Sequence, residues 1–180
     1  LSLLIDNSQG VQEAFYHLYN QRARKIYFVS VAMDAFDNME RMRVFFHEAY
    51  KNDLNIRCLN GNFTEQSGYD AAISIIRAND LPEAVFCAND QMAIGFIRAM
   101  KENNLCAPDD IAVVGFDDII IARYMQPTLS TVSAPRFTWG SLAARVLIDY
   151  LENETPFQPC RIQTQLIPRA SSMRNIVPAF

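Results

Sequence analysis

Residues 84–118 read AVFCANDQMAIGFIRAMKENNLCAPDDIAVVGFDD, and the fold is decided here. Residues 84–88 and 111–116 are short apolar runs of strand character. Between them Ala93, Phe96, Ile97 and Met100 recur at i, i+3, i+4 and i+7, one apolar stripe along a helix. A strand–helix–strand crossover joins parallel strands. Both strands therefore bring their polar tips, Asn89 and Asp117, to one edge of the sheet, where ligands of open α/β sheets sit. An amide offers donors and an acceptor, and an ionised carboxylate offers acceptors only. Together they suit a neutral, hydroxyl-rich small molecule better than an anion. Asp90 is expected to cap the helix, and the plainer alternative for Asp117 and Asp118 is the opening of a turn.

Composition narrows the function classes. The chain has 180 residues, half of them hydrophobic, enough to bury roughly 70% of its unfolded surface as one domain. Net charge is −4 and the 16 basic residues are scattered, so the chain carries no electrostatic footprint for nucleic acid and is not expected to bind DNA by itself. Cys58, Cys87, Cys106 and Cys160 show no Cys-x-x-Cys spacing and are expected to be core thiols of a reducing cytosol. No apolar run approaches the roughly 20 residues of a membrane span. His17 and His47 lack partners at metal-ligand spacing, and no glycine-rich phosphate loop or Gly-x-Ser-x-Gly occurs. Neighbours on one strand face opposite ways, which argues against Asp117 and Asp118 as an acid–base pair. The expectation is a protein without metal, cofactor or catalysis. The chain starts on Leu and reads as a fragment.

Elsewhere the same patterns recur. Val11, Ala14, Phe15 and Leu18 mark a helix that Asn7 or Ser8 would cap, and residues 26–31 a strand covered on both faces. Met39, Met42, Phe46 and Tyr50, with Phe45 and Ala49 alongside, predict a second helix, and residues 56–59 a strand. A third helix, capped by Thr64, would bury Tyr69, Ala72, Ile73 and Ile76. Residues 137–152 carry a stripe (Leu142, Ala143, Val146, Leu147, Tyr150, Leu151) wider than a surface helix needs, and residues 161–167 alternate as one strand with Ile162, Thr164 and Leu166 on one face.

AVFCANDQMAIGFIRAM, then Pro108-Asp109-Asp110-Ile111 leading into VVGFDD, then QPTLSTV at 126–132 and LIPRASS at 166–172, resembles the effector-binding core of bacterial transcription regulators of the lactose-repressor/galactose-repressor family. The resemblance spans residues 4 to about 172. It implies an α/β, doubly wound parallel sheet of the periplasmic-binding-protein-like type I. Residues 1–133 would form the C-terminal lobe, 134–160 a segment of the N-terminal lobe, 161–172 the return strand and 173–180 a tail. The DNA-binding headpiece and most of the first lobe would lie outside the chain, and the 137–152 helix would face that lobe or a partner.

The resemblance also names the site: Asn89 and Asp117, with Arg41 where the family places a cleft arginine. Val44 stands where a glycine is expected, and Arg43 takes the role if the loop is one residue longer. Phe63 matches an aromatic near the cleft. Arg136 follows Pro135 where relatives hold an aromatic, which points to a different or more polar effector. The implied function is the ligand-sensing domain of a cytoplasmic, dimeric regulator that binds a sugar-like effector and meets DNA only through its headpiece. The alternative is a solute-binding protein of the same fold.

Overall fold

The computed structural model describes residues 3–31, 36–153 and 160–174. In chain order it runs β1 (Leu3–Asp6), α1 (Ser8–Asn20), β2 (Ile26–Ser30), α2 (Phe36–Lys51), β3 (Arg57–Asn60), α3 (Glu65–Arg77), β4 (Ala84–Cys87), α4 (Asp90–Glu102), β5 (Ala112–Phe116), β6 (Ser130–Ser133), α5 (Arg136–Asn153), β7 (Cys160–Gln163) and β8 (Gln165–Ile167), with short 3-10 turns at Ile120–Arg123 and Ala170–Ser172. Six strands form one sheet in the order β3-β2-β4-β5-β6-β8, parallel except for β8, and β1 and β7 form a separate parallel pair. Strand order turns back between β2 and β4. At such a reversal the connecting helices leave to opposite sides and open a crevice at the carboxyl ends of the strands.

Every residue of β2, β4 and β5 is buried, as a strand covered on both faces requires. Phe45 of α2 lies at the centre of an aromatic cluster, its ring centroid 5.3 Å from Phe15, 5.4 Å from Phe28 and 5.1 Å from Phe86. Those separations suit edge-to-face and offset stacking. On α3 and α4 the contact is made by glycines: a Cβ on Gly68 would stand 2.0 Å from the Met92 carbonyl oxygen, and one on Gly95 1.8 Å from that of Glu65. The two helices approach backbone to backbone.

The periodic stripes of α1 and α4 are fully met, with Val11, Ala14, Phe15, Leu18, Ala93, Phe96 and Met100 wholly buried and Ile97 nearly so. In α2 the buried face is instead Asn38, Arg41, Val44, Phe45, Glu48 and Ala49, while Met39 and Tyr50 are exposed. Apolar spacing misplaced this face because two charged side chains belong to it. Glu48 tolerates burial because Gln12 Nε2, Tyr16 Oη and Lys51 Nζ donate to it at 2.9, 2.8 and 3.2 Å. Burial works to raise its pKa, and these hydrogen bonds outweigh that and hold it below the usual range. In α3 the buried face is Gly68, Ala71, Ala72 and Ile75, a shift toward the small residues that face α4.

The alternating run at 161–167 is two strands. It breaks at Thr164, which is buried and passes the chain from the small sheet to the large one. Thr164 Oγ1 donates to the Asp6 carbonyl at 2.8 Å and accepts from the Gly10 amide at 3.1 Å. Two of the chain's three passages between the sheets are thereby tied side by side, the third running through α5. Of the cysteines, Cys87 is buried, whereas Cys58 and Cys106 are exposed and are not core thiols; the Cys160 side chain lies outside the described residues. The α5 stripe faces solvent at Leu147, Ile148, Tyr150 and Leu151.

Candidate functional site

β4 and β5 pair in parallel register, Ala84 with Ala112 through Phe86 with Val114, so Asn89 and Asp117 follow adjacent strand ends. Arg41 reaches the seam between them from α2. It is buried; its Nη1 donates to the Ala88 carbonyl at 2.6 Å and its Nε to Asn7 Oδ1 at 3.0 Å. Its guanidinium carbon lies 3.6 Å from the centroid of the Phe116 ring. A planar cation on an aromatic face with both edges donating is a geometry that lysine cannot copy.

Arg41 is in turn anchored from the small sheet. Asn7 Nδ2 donates to Glu40 Oε2 at 2.6 Å, and Arg161 Nη1 of β7 to Glu40 Oε1 at 2.8 Å. The family resemblance pointed to Arg41 but gave no sign of this relay. Asn7 sits at the head of α1 without a side-chain capping bond, its amide committed to Arg41 and Glu40.

The cap of α4 is Asn89, not Asp90. Asn89 Oδ1 accepts from the Met92 amide at 3.0 Å, and its Nδ2 donates to the Phe63 carbonyl at 2.9 Å. Its backbone is extended, as a cap requires, whereas Asp90 is already helical and fully buried. Phe63 is held by that bond with φ at 67°, half-buried against the core. Asn38 belongs to the same edge at the end of β2. Its Nδ2 donates to the Val31 carbonyl at 3.0 Å, and its Oδ1 is buried without a hydrogen-bond partner among the described residues.

Asp117 and Asp118 lie beyond the last residue of β5, with φ at 118° and 48°, so strand alternation does not govern them. The Asp117 amide donates to the Val132 carbonyl at 2.8 Å. Asp118 accepts from Arg169 Nη2 at 2.6 Å and Arg123 Nη2 at 2.8 Å. Burial would raise its pKa, and these two cations hold it below the usual carboxylate range instead. A hollow of about 470 Å³ opens at this turn, lined by Asp117, Asp118, Arg123, Ser133, Pro135 and Thr138 among others. That is room for a small hydroxylated molecule. Arg136 opens α5 beside the hollow, and its side chain lies outside the described residues. Of the residues expected at the site, Asp117 lines the hollow, whereas Arg41, Asn89 and Phe63 do not line it.

A family model described as a periplasmic binding protein-like domain matches residues 15–172. The chain is 28% identical over 180 residues to the HTH-type transcriptional repressor PurR of Actinobacillus pleuropneumoniae serotype 3, which covers 96% of this chain and 53% of that repressor. It therefore spans about half the length of the curated relatives it matches. A sugar-binding transcriptional regulator of the LacI family from Escherichia coli, solved with phosphate, superposes with a TM-score of 0.85 at 28% identity over 94% of this chain and 62% of its own. A dimeric Lac repressor superposes at 0.89 over 96% of this chain and 64% of its own, and at 21% identity it speaks for the fold.

Proposed function

The chain belongs to the periplasmic binding protein-like domain family, as an effector-binding core of the lactose-repressor/galactose-repressor kind, and from that premise we propose that it is the ligand-sensing part of a DNA-binding transcription regulator. The effector is a sugar-like small molecule held at the carboxyl edge of the large sheet. Arg41, Asn89, Phe63, Asp117 and Arg136 form its near wall. The observation that carries the reading is Arg41, a buried cation fixed on the Ala88 carbonyl and the Phe116 ring at the seam of two strand ends. Asn38 Oδ1, buried and without a partner among the described residues, supports it as an acceptor that a hydroxyl would satisfy.

Residues 1–133 and 161–172 make up one lobe in this reading, and 134–160 belongs to the other. The small β1–β7 sheet stands apart from the six-stranded one, but it pairs residues 3–6 with 160–163, which this division assigns almost wholly to the first lobe. Ligand closes the lobes and biases DNA affinity through a homodimer. The basic residues are scattered along the sequence and net charge is −4, so in this reading contact with DNA falls to a headpiece outside this chain. No helix among the described residues is long and apolar enough to cross a membrane, in keeping with a cytoplasmic regulator. Repressors among the relatives favour this reading over a solute-binding protein and over an enzyme.

The test is thermal melting of the full-length protein with a panel of monosaccharides, disaccharides, nucleosides and sugar phosphates. A ligand of the folded state raises Tm, and one sugar-like class is expected to do so. No shift with any member of the panel overturns the reading.

A further inference from the structure

Asp90 opens α4 and is fully buried. Its Oδ2 accepts from the Ile119 amide at 2.9 Å, and its Oδ1 stands 2.6 Å from Thr131 Oγ1. The same threonine oxygen accepts from the Asp118 amide at 3.2 Å and has the Val132 carbonyl within reach at 3.5 Å. A Cβ on Gly115 would meet Asp90 Oδ1 at 2.2 Å, so the carboxyl is packed onto the β5 backbone.

A neutral Asp90 can satisfy this cluster. Protonated on Oδ1, it would donate to Thr131 and free that hydroxyl to turn to the Val132 carbonyl, while Oδ2 keeps the Ile119 amide. The charges around it favour that form. Asp117 and Asp118 face it from the turn after β5, Cys87 from β4, and the neutral Thr131 from β6. Of the nearby cations, Arg123 and Arg169 pair with Asp118. Burial first, and the two aspartates with it, outweigh the hydrogen bonds from Thr131 and the Ile119 amide, which favour the carboxylate, and push Asp90 up to about 7.

The turn it grips is Asp117–Asp118, two consecutive non-glycine residues in the left-handed region. Such backbone persists only where its surroundings hold it.

We propose that Asp90 is a positioning residue acting as a neutral acid: through Thr131 and the Ile119 amide it fastens the 117–119 turn, and its ionisation loosens that turn. Only the corollary that it thereby sets where Asp117 stands for the effector rests on the sensing function.

The sign follows from linkage. Opening the turn returns Asp90 to water and to ordinary carboxylate acidity, so the proton favours the closed form. Closure is firmest in acid, weakens as pH rises from the ordinary carboxylate range to about 7, and levels off above it.

The test is amide hydrogen exchange in the full-length protein, read on peptides covering 117–119 between pH 5 and 8, with labelling times scaled to equal intrinsic exchange. Wild-type opening is expected to rise on the order of tenfold or more across that range. Asp90→Asn, which can donate to Thr131 and accept from Ile119 but cannot ionise, should stay closed throughout. Asp90→Ala should be open throughout. If Asp90→Ala does not fold, Thr131→Val supplies the loss of grip and should speed exchange of the Asp118 amide at pH 5. A wild-type turn whose opening does not change with pH, or an Asp90→Asn variant that follows the wild-type pH dependence, overturns the proposal. No effector is needed, so the result stands whatever the melting panel gives.

Discussion

Arg169 and Asp118 form a pair largely withdrawn from water, with side-chain exposures of 14% and 6%. Removing Arg169 leaves Asp118 with the exposed Arg123 as its remaining cation, so Arg169→Met is expected to cost about 2 kcal/mol in urea unfolding at neutral pH. Because Asp118 titrates below the ordinary carboxylate range, its share of stability is present above that range and lost as pH falls through its folded value. The cost of Arg169→Met should therefore shrink in strong acid. Asp90 has the opposite sign. Wild-type protein should lose stability as pH rises from the ordinary range to about 7, and Asp90→Asn should gain on the order of 2 kcal/mol over it at pH 8 and little near pH 4. At Arg41, Lys cannot serve Ala88, Asn7 and the Phe116 face together. If Arg41 lines the effector site, calorimetry on Arg41→Lys should show effector affinity reduced at least about tenfold.

α3 and α4 touch where neither has a side chain. A methyl on either glycine would meet backbone, which cannot rotate away, so Gly68→Ala and Gly95→Ala should each destabilise by about 3 kcal/mol, read as a lower denaturant midpoint. Elements were legible in the sequence where one rule governed them: α1 and α4 bury the residues their stripes name, and β2, β4 and β5 the runs that named them. α2 was not, because its core face carries Arg41 and Glu48, whose burial depends on partners from α1 and β4 that local spacing cannot reveal. The same blindness assigned the cap of α4 to Asp90. A carboxylate after a strand looks like a cap until the depth of the helix end is known, and here that end lies beneath Thr131 and Ile119. Residues 161–167 alternate faithfully, yet a change of sheet at Thr164 leaves the period intact and is silent in the sequence.

At the scale of the molecule, two features stand outside the large sheet's packing: the exposed stripe of α5 and the small β1–β7 sheet. Leu147, Ile148, Tyr150 and Leu151 put large apolar side chains into water along one helix, a surface that isolated domains seldom leave uncovered. Expressed alone, this 180-residue chain is expected to self-associate, and Leu147→Glu with Leu151→Glu to return it to a monomer in sedimentation velocity. The small sheet bears on motion. Thr164 holds the Asp6 carbonyl and the Gly10 amide on a single hydroxyl, so two of the three covalent bridges between the sheets share one pin, the third running through α5. Two straps fastened at the same point resist sliding there and leave room to swing. A tilt of the small sheet about that oxygen would carry Arg161, and with it the far end of the Arg41 relay, along an arc.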